Sequence, residues 1–276
     1  MAAALSFTLI YYPAKFFHLA QAGIISLSAY LTYTFSHYCG FPLAVASFVA
    51  IIACSLTGVL LELGVYKPMR TRGVQPTVLL IVSLGLYIVI QNTISLLWGD
   101  ATLELTTGIV QEGHVFGTGR ITNAQLAALF IPVFLFLVMF SLAQYSPFGR
   151  SFRAVSENAE LSSIYGISPN RMILWGFFAG SAIASIVGIL AAADTNMKPG
   201  FGFNILLYGV ITMIIGGVGS YAGLALGAVL VAFAQQAAAY YIDTRWTDAV
   251  SYLILISFLL WRPYGFSGKR LHKIEI

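Results

Sequence analysis

The sequence predicts an all-α membrane protein, a bundle of helices with eight or nine membrane segments. Of its 276 residues, 59% are hydrophobic and only 9% are charged, whereas soluble domains carry about a quarter charged residues. Apolar runs such as AQLAALFIPVFLFLVMFSLAQY recur along the chain, and they approach or exceed the roughly 20 residues that a helix needs to cross a bilayer. This composition excludes a conventional soluble enzyme, and the strict alternation typical of a membrane β-barrel is absent.

The predicted segments cover most of the chain. The first and the seventh are short for a full crossing, so each either spans or is a half-span covered by protein or by a water-filled cavity. We predict a single transmembrane domain, 1–276, and no cleaved signal peptide. The segments lie at about 2–13, 18–36, 41–64, 77–98, 123–144, 172–193, 204–217, 222–241 and 249–261.

The charges of the loops predict the orientation. If the N-terminus is outside, eleven Lys and Arg residues fall on one face of the membrane and three on the other. Because basic loops favour the cytoplasm, the C-terminus and the loop at about 145–171 are expected there. The loop at about 99–122 is then external, and its alternating, glycine-rich sequence predicts a small hairpin.

The sequence contains no set of residues that predicts catalysis. We find no phosphate-binding loop, no histidine pair with metal-ligand spacing and no nucleophile motif with a partner base. We therefore expect neither a metal site nor an active site, and we favour transport over an intramembrane enzyme.

A transporter needs a few polar groups at membrane depth, and the apolar segments contain several. These side chains either line a path for a solute or join helices by hydrogen bonds. As a set they favour a small polar or zwitterionic solute over a bare ion. The candidates for the translocation pathway are His18, Gln21, Gln91, Asn92, Gln235 and Gln236.

Glu62 is the one acidic residue well inside an apolar run. It precedes Lys67 and Arg70 by about one to two helical turns, within reach of either side chain. We interpret it as half of a structural ion pair, with a proton relay as the alternative.

The polar stretch RAVSENAELSSIYGISPNR, residues 153–171, interrupts the membrane sequence. A helix from Ser156 to Tyr165 would place Leu161, Ile164 and Tyr165 on one face, because residues three and four apart are neighbours. Gly166 would end this helix, and Ser168 with Pro169 would begin the next span. Since so short a helix is marginal alone, we expect it to dock on a cytoplasmic protein; a helix lying on lipid is the alternative.

Five motifs in order identify a resemblance. The chain resembles the permease subunits of bacterial ABC importers for branched-chain amino acids and related solutes. In GRSFRAVSENAELSSIYGISPNRM the matching positions include Gly149, Arg150, Ala154, Ile167 and Arg171, and Glu160 and Gly166 fit a variant of the importer signature E-A-A-x-x-x-G. The other motifs are ELGVYKPMR, SLGLYIVIQN, GGVGSYAG and RPYGFSG.

The resemblance implies an assembly in the bacterial inner membrane. This chain would pair with a second, similar permease, bind two cytoplasmic ATPase subunits that hold ATP and Mg, and receive solute from an extracytoplasmic binding protein. The polar stretch would be the coupling helix, with Arg153, Glu157, Asn158, Glu160, Leu161, Ile164, Tyr165 and Gly166 at the ATPase contact. Structural roles would fall to Glu62, Arg70, Gly216, Gly217, Gly219, Arg262 and Pro263.

Two departures from the family pattern bear on the solute. The family commonly has an NFAHG-like motif where this chain has FHLAQAG, and commonly an acidic residue where Gln235 or Gln236 stands. The expected solute is a branched-chain or other neutral amino acid, with urea or an amide as the alternative. A stand-alone channel or secondary carrier is the other class, but inverted repeats and an intramembrane coupling acid are not evident.

Overall fold

The computed structural model describes residues 1–105, 113–116, 119–262 and 265–266. Over these ranges the chain is almost entirely helical, with one antiparallel strand pair, β1 (His114–Phe116) and β2 (Gly119–Ile121). The helices are α1 (Ala2–Ala14), α2 (Gln21–His37), α3 (Leu43–Leu61), α4 (Lys67–Thr71), α5 (Pro76–Trp98), α6 (Asn123–Tyr145), α7 (Pro147–Glu157), α8 (Ala159–Ile164), α9 (Pro169–Asp194), α10 (Phe201–Gly216), α11 (Tyr221–Tyr241) and α12 (Thr247–Trp261).

Each predicted apolar segment is a helix, so the all-α prediction is confirmed. Helices α1 and α10 are apolar but short, with 13 and 16 residues, as expected for the first and seventh segments. The number of crossings stays a prediction. The helices long and apolar enough to cross a membrane are Leu43–Thr71, Pro76–Trp98, Asn123–Tyr145, Pro169–Asp194 and Tyr221–Tyr241.

Helix α9 lies at the centre of the bundle, because α1, α2 and α3 all pack against it. Glycines allow this close contact. A Cβ atom at position 180 would lie 2.9 Å from the carbonyl oxygen of Ser6, and one at Gly188 would lie 2.1 Å from that of Ile25. Small residues bring helix backbones together in membrane proteins, and the four-residue spacing of glycines in α9 serves this packing.

Helices α1 and α2 are separated by a non-helical connection, residues 15–20. Ser83 of α5 covers its backbone: the Ser83 Oγ accepts a hydrogen bond from the Leu19 N–H at 3.1 Å and lies 3.1 Å from the Phe17 carbonyl oxygen. Inside a membrane bundle, irregular backbone is tolerated only where protein or water satisfies its polar groups. The break therefore depends on a hydroxyl from a helix that is distant in sequence.

Helix α3 passes through a π-helical turn, Glu62–Tyr66, before α4 begins. Pro68 lies in the first turn of α4, where it cannot donate the hydrogen bond that a regular α-helix requires. A π turn accommodates such a local mismatch inside an otherwise continuous helix. As a result Glu62 points into the protein, where it is 1% exposed.

The loop between α5 and α6 contains the expected hairpin, in which Val115 pairs with Arg120; residues 106–112 and 117–118 lie outside the described ranges. Before the hairpin, Leu103 exchanges two backbone hydrogen bonds with Met197, at 3.0 and 2.9 Å. Thr122 is the N-cap residue of α6 and forms a capping box with Gln125: the backbone N–H of each residue donates to the side chain of the other at 3.2 Å. The two bonds between Leu103 and Met197 join the α5–α6 loop to the α9–α10 connection.

Candidate functional site

The polar stretch between α6 and α9 forms two short helices, α7 and α8. The single helix predicted from Ser156 to Tyr165 is therefore wrong at its start. Asn158 has an extended backbone, with φ −150° and ψ 103°, and its Oδ1 accepts a hydrogen bond from the Leu161 N–H at 2.8 Å. Asparagine favours this N-cap conformation over a helix interior, so α7 ends at Glu157 and Asn158 begins a new helix.

The apolar face of α8 points away from the rest of the chain. Leu161 is 51% exposed, Ile164 is 76% exposed and Tyr165 is 78% exposed, whereas Ser162 is buried. These three exposed side chains follow the i, i+3, i+4 spacing of one helical face. An exposed apolar face on an otherwise polar segment marks an interaction surface.

A short turn joins α8 to α9. Gly166 has φ +80°, which favours glycine, and the Gly166 and Ile167 N–H groups bond to the carbonyl oxygens of Ser163 and Ser162, each at 3.0 Å. Pro169 is in the first turn of α9, and Ser168 is the N-cap residue, but its side chain forms no capping hydrogen bond within the described chain. Pro169 alone therefore supplies the predicted start signal.

Helix α7 anchors this segment to the bundle. Phe152 and Val155 are buried, and a Cβ atom at Gly149 would lie 2.3 Å from the Leu142 carbonyl oxygen of α6. The Arg153 Nη1 donates a hydrogen bond to the Gln144 Oε1 at 3.4 Å. Of the other predicted coupling residues, Glu157 and Glu160 are exposed and Asn158 is half-buried. The segment thus has a fixed half, α7, and a presented half, α8.

His18 and Gln21 are both buried at the α1–α2 break. The His18 ring lies edge-on to Tyr66 and Phe177, with ring centroids 5.2 and 5.0 Å apart, and neither ring nitrogen has a hydrogen-bond partner among the described residues. The Gln21 Nε2 donates to the Gly180 carbonyl oxygen at 3.3 Å. In this conformation His18 is packed among aromatic rings, and Gln21 contacts the central helix.

The other four pathway candidates lie on two different helices. On α5, Gln91 is half-buried near Gly200, and Asn92 is exposed with its side chain donating to the Ile88 carbonyl oxygen at 2.7 Å. On α11, the Gln235 Nε2 donates to the Ser251 Oγ of α12 at 2.9 Å. Gln236 is exposed. Gln235 therefore joins two helices, and the pathway role of the six candidates stays a prediction.

Glu62 forms an ion pair with Arg70, one of the two partners expected from the sequence. Both Arg70 terminal nitrogens donate to the carboxylate, in the bidentate arrangement that guanidinium favours. The Arg70 side chain is 22% exposed and that of Glu62 only 1%. The ion pair thus links the first residue of the π turn to a residue of α4.

The glycine motif forms the tight turn between α10 and α11. Gly217 and Gly219 have φ values of +89° and +84°, and a Cβ atom at Gly216 would lie 2.6 Å from the Gly223 carbonyl oxygen. Close to the turn, the exposed Arg262 accepts a backbone hydrogen bond at 2.9 Å from the Gly265 N–H. Pro263, also predicted to be structural, lies outside the described residues.

Sequence reasoning did not single out Ser83, Tyr12 or the exposed Lys15 as contributors to a site. Ser83 and Tyr12 stand in apolar helical segments, where nothing local marks them. Lys15 has φ +59°, a conformation rare for a lysine, but its sequence context does not reveal it. Over the described ranges no group of three His, Cys, Asp or Glu residues could hold a metal ion.

The long apolar helices, with a short helix between them that exposes an apolar face, are typical of a multi-pass membrane protein. Residues 1–259 match the family described as branched-chain amino acid transport system / permease component. The chain belongs to this family.

Individual relatives agree with the family match. The high-affinity branched-chain amino acid transport system permease protein LivH of Escherichia coli is 30% identical, over 83% of this chain and 76% of its own length. BraD of Pseudomonas aeruginosa, named likewise, is 28% identical over 96% of this chain and 90% of its own. A probable LivH of Methanocaldococcus jannaschii is 22% identical over 99% and 89%. No solved structure matches the chain.

Proposed function

We propose that this chain is the membrane-spanning permease subunit of an ATP-driven importer for branched-chain amino acids. In this proposal it pairs with a second permease, and the two form the translocation pathway. Two cytoplasmic ATPase subunits bind ATP and Mg and supply the energy, and an extracytoplasmic binding protein delivers the solute. The family match and the names of the relatives support the transport role.

The observation that carries the coupling role is the exposed apolar face of α8. Burying a large apolar side chain contributes about 1.5–3 kcal/mol, and Leu161, Ile164 and Tyr165 are all available for burial. A groove on an ATPase subunit that accepts this face would hold α8 without any rearrangement of the chain.

The same segment connects the dock to the centre of the bundle. The turn at residues 165–168 joins α8 to α9, and α9 packs against α1, α2 and α3. When the ATPase pair closes on ATP, displacement of α8 would therefore reach the helix on which three others rest. Tightly packed helices respond by moving as rigid units.

We infer the pathway from surfaces that this chain leaves open. Asn92 of α5 and Gln236 of α11 are exposed among apolar neighbours, as expected if a second permease completes their surroundings. Under the loop-charge rule the N-terminus is outside, the α7–α8 segment and the C-terminus are cytoplasmic, and the chain lies in the bacterial inner membrane with eight or nine membrane segments.

A substitution on α8 tests this function. We expect Ile164→Glu to weaken ATPase binding roughly thirtyfold, because about 2 kcal/mol of apolar burial is lost. Leucine uptake should fall accordingly. Co-purification of the ATPase subunits in mild detergent and uptake by reconstituted proteoliposomes measure the two effects.

Ser163→Glu is the matched control, since Ser163 is exposed on the same helix but does not belong to the apolar face. It should retain the ATPases. Equal retention by both variants would contradict the coupling role, and leucine uptake by the purified chain alone would indicate a stand-alone carrier. A ligand screen of the binding protein with branched-chain amino acids, urea and amides decides the solute.

A further inference from the structure

A small cavity lies where α1, α7 and the α10–α11 turn meet. Its lining includes Tyr12 of α1, Arg153 of α7, and Gly219 and Tyr221 at the turn. Three parts of the chain that are distant in sequence thus surround one space, and one of them is the helix that anchors the coupling segment.

The Tyr12 ring is held on two sides. A Cβ atom at Gly219 would lie 2.8 Å from the ring carbon Cε2, so the glycine backbone packs directly against the ring. The Lys15 Nζ lies 5.0 Å from the ring centroid, within the range of a cation–π contact. Any side chain at position 219 would displace the tyrosine.

The Lys15 backbone is left-handed where α1 ends, and its side chain lies over the Tyr12 ring. With φ +59° and ψ 24°, Lys15 ends α1, and its N–H bonds to the Tyr11 carbonyl oxygen at 2.8 Å. Glycine adopts this conformation without the penalty that a side chain incurs. A lysine at a position that favours glycine points to a role for its side chain.

Helix α7 contributes a charged side chain to the same cavity. Arg153 lines the cavity beside Tyr12. Glu157, four residues after Arg153, is the last residue of α7 and is exposed.

We propose that Tyr12 is a positioning residue that transmits movement of α7 to the α10–α11 turn, with Lys15 and Gly219 holding its ring. This inference rests on the proposed import function. Asn158 alone separates α7 from the coupling helix α8, so displacement at the ATPase would reach α7 and act on Tyr12 through Arg153, which lines the cavity beside it. Since the ring rests on Gly219, the turn and the two helices that it joins would move with it.

Reconstituted transporters with the binding protein, ATP and labelled leucine test the proposal. We expect Tyr12→Leu to lower the leucine transported per ATP hydrolysed by about fivefold or more, as for typical coupling energies. The KM for leucine and the amount of bound ATPase should stay unchanged. Tyr12→Phe, which keeps the ring, should restore most of the coupling.

Lys15→Gly is a second variant that should not impair folding, because glycine suits the left-handed backbone. It should reduce the coupling ratio while the chain still folds. Tyr145→Leu is the matched control, since Tyr145 is highly exposed near α7, and it should behave like the wild type. Inactive wild-type transporter would refute the proposed function; active transporter with an unchanged ratio in Tyr12→Leu would refute only the role of Tyr12.

Thermal unfolding of the purified chain tests the contact independently of transport. Because the Lys15 cation and the Tyr12 ring interact directly, the shifts in Tm caused by Lys15→Gly and Tyr12→Leu should not be additive. Additive shifts would overturn the proposal.

Discussion

At the scale of single residues, Glu62 shows how this chain accommodates a charge inside an apolar bundle. A buried carboxylate is costly unless it is paired and hydrogen-bonded, and the π turn brings Arg70 to it as a bidentate partner. The Arg70 side chain remains 22% exposed. The pair is therefore a structural feature of the continuous α3–α4 helix, and it leaves neither charge without a partner.

Removal of one partner should destabilise the chain. We expect Arg70→Met to cost about 2 kcal/mol or more, because Glu62 would be buried without a counter-charge; partial exposure of the arginine keeps the cost below that of a fully buried pair. The change in thermal unfolding of the purified chain in detergent measures it. Arg72→Met, at an exposed position nearby, should have little effect.

The double variant Glu62→Gln/Arg70→Met distinguishes the effect of an unpaired buried charge from that of lost side-chain packing. It should recover part of the lost stability, since no unpaired charge remains. A double variant as unstable as the sum of both single variants would show instead that each side chain contributes through packing.

At the scale of helices, close contact depends on where glycine stands. Gly188 of α9 faces α2 at a distance that excludes any side chain, whereas Gly85 of α5 has no described atom within 4 Å of a Cβ position. Both residues lie inside apolar helices, and the sequence around them does not distinguish their roles. Only the packing decides which glycine is required.

The substitution Gly188→Ala should destabilise the chain by about 1–3 kcal/mol, the usual cost of overpacking, because its Cβ would overlap the Ile25 carbonyl oxygen. The same change at Gly85 should be neutral or stabilising by up to about 1 kcal/mol, since alanine favours a helix. Expression level and thermal unfolding compare the two variants. Similar losses at both positions would contradict the α2–α9 contact.

The segment formed by α7 and α8 shows what helical periodicity can and cannot predict. The spacing of Leu161, Ile164 and Tyr165 correctly predicted one apolar face, and the structure leaves that face exposed. The helix boundary was wrong because Asn158 caps a new helix, and a single polar residue within a helix-forming stretch can either continue or restart it. The fixed and presented halves of the segment follow from that one hydrogen bond.

At the scale of the whole molecule, the proposed orientation has a direct test. In a Cys39→Ser background, Thr244→Cys should react with a membrane-impermeant maleimide from outside the cell, and Ser163→Cys should react only from the cytoplasmic side. Both positions are exposed, and Cys54 is buried. The physical reason is the asymmetry of basic loops. The reverse pattern of labelling would invert the topology.

The sequence by itself determined the helices and the docking face, because apolar runs and helical spacing are local properties. It also determined the partner of Glu62 to within two candidates. It could not show that Gln235 bonds to Ser251 or that His18 is enclosed by aromatic rings. In apolar helices almost every face is compatible with burial, so composition does not reveal which side chains meet.

Only the tertiary structure determines which of these side chains are in contact. The cover that Ser83 gives to the α1–α2 break and the position of Tyr12 between Lys15 and Gly219 join residues that are far apart in the chain. Such contacts depend on the distances between packed helices, and those distances are set by the glycines of α9 and of the α10–α11 turn. The sequence thus specifies the helices one by one, whereas the packing of their backbones specifies which of their polar groups act together.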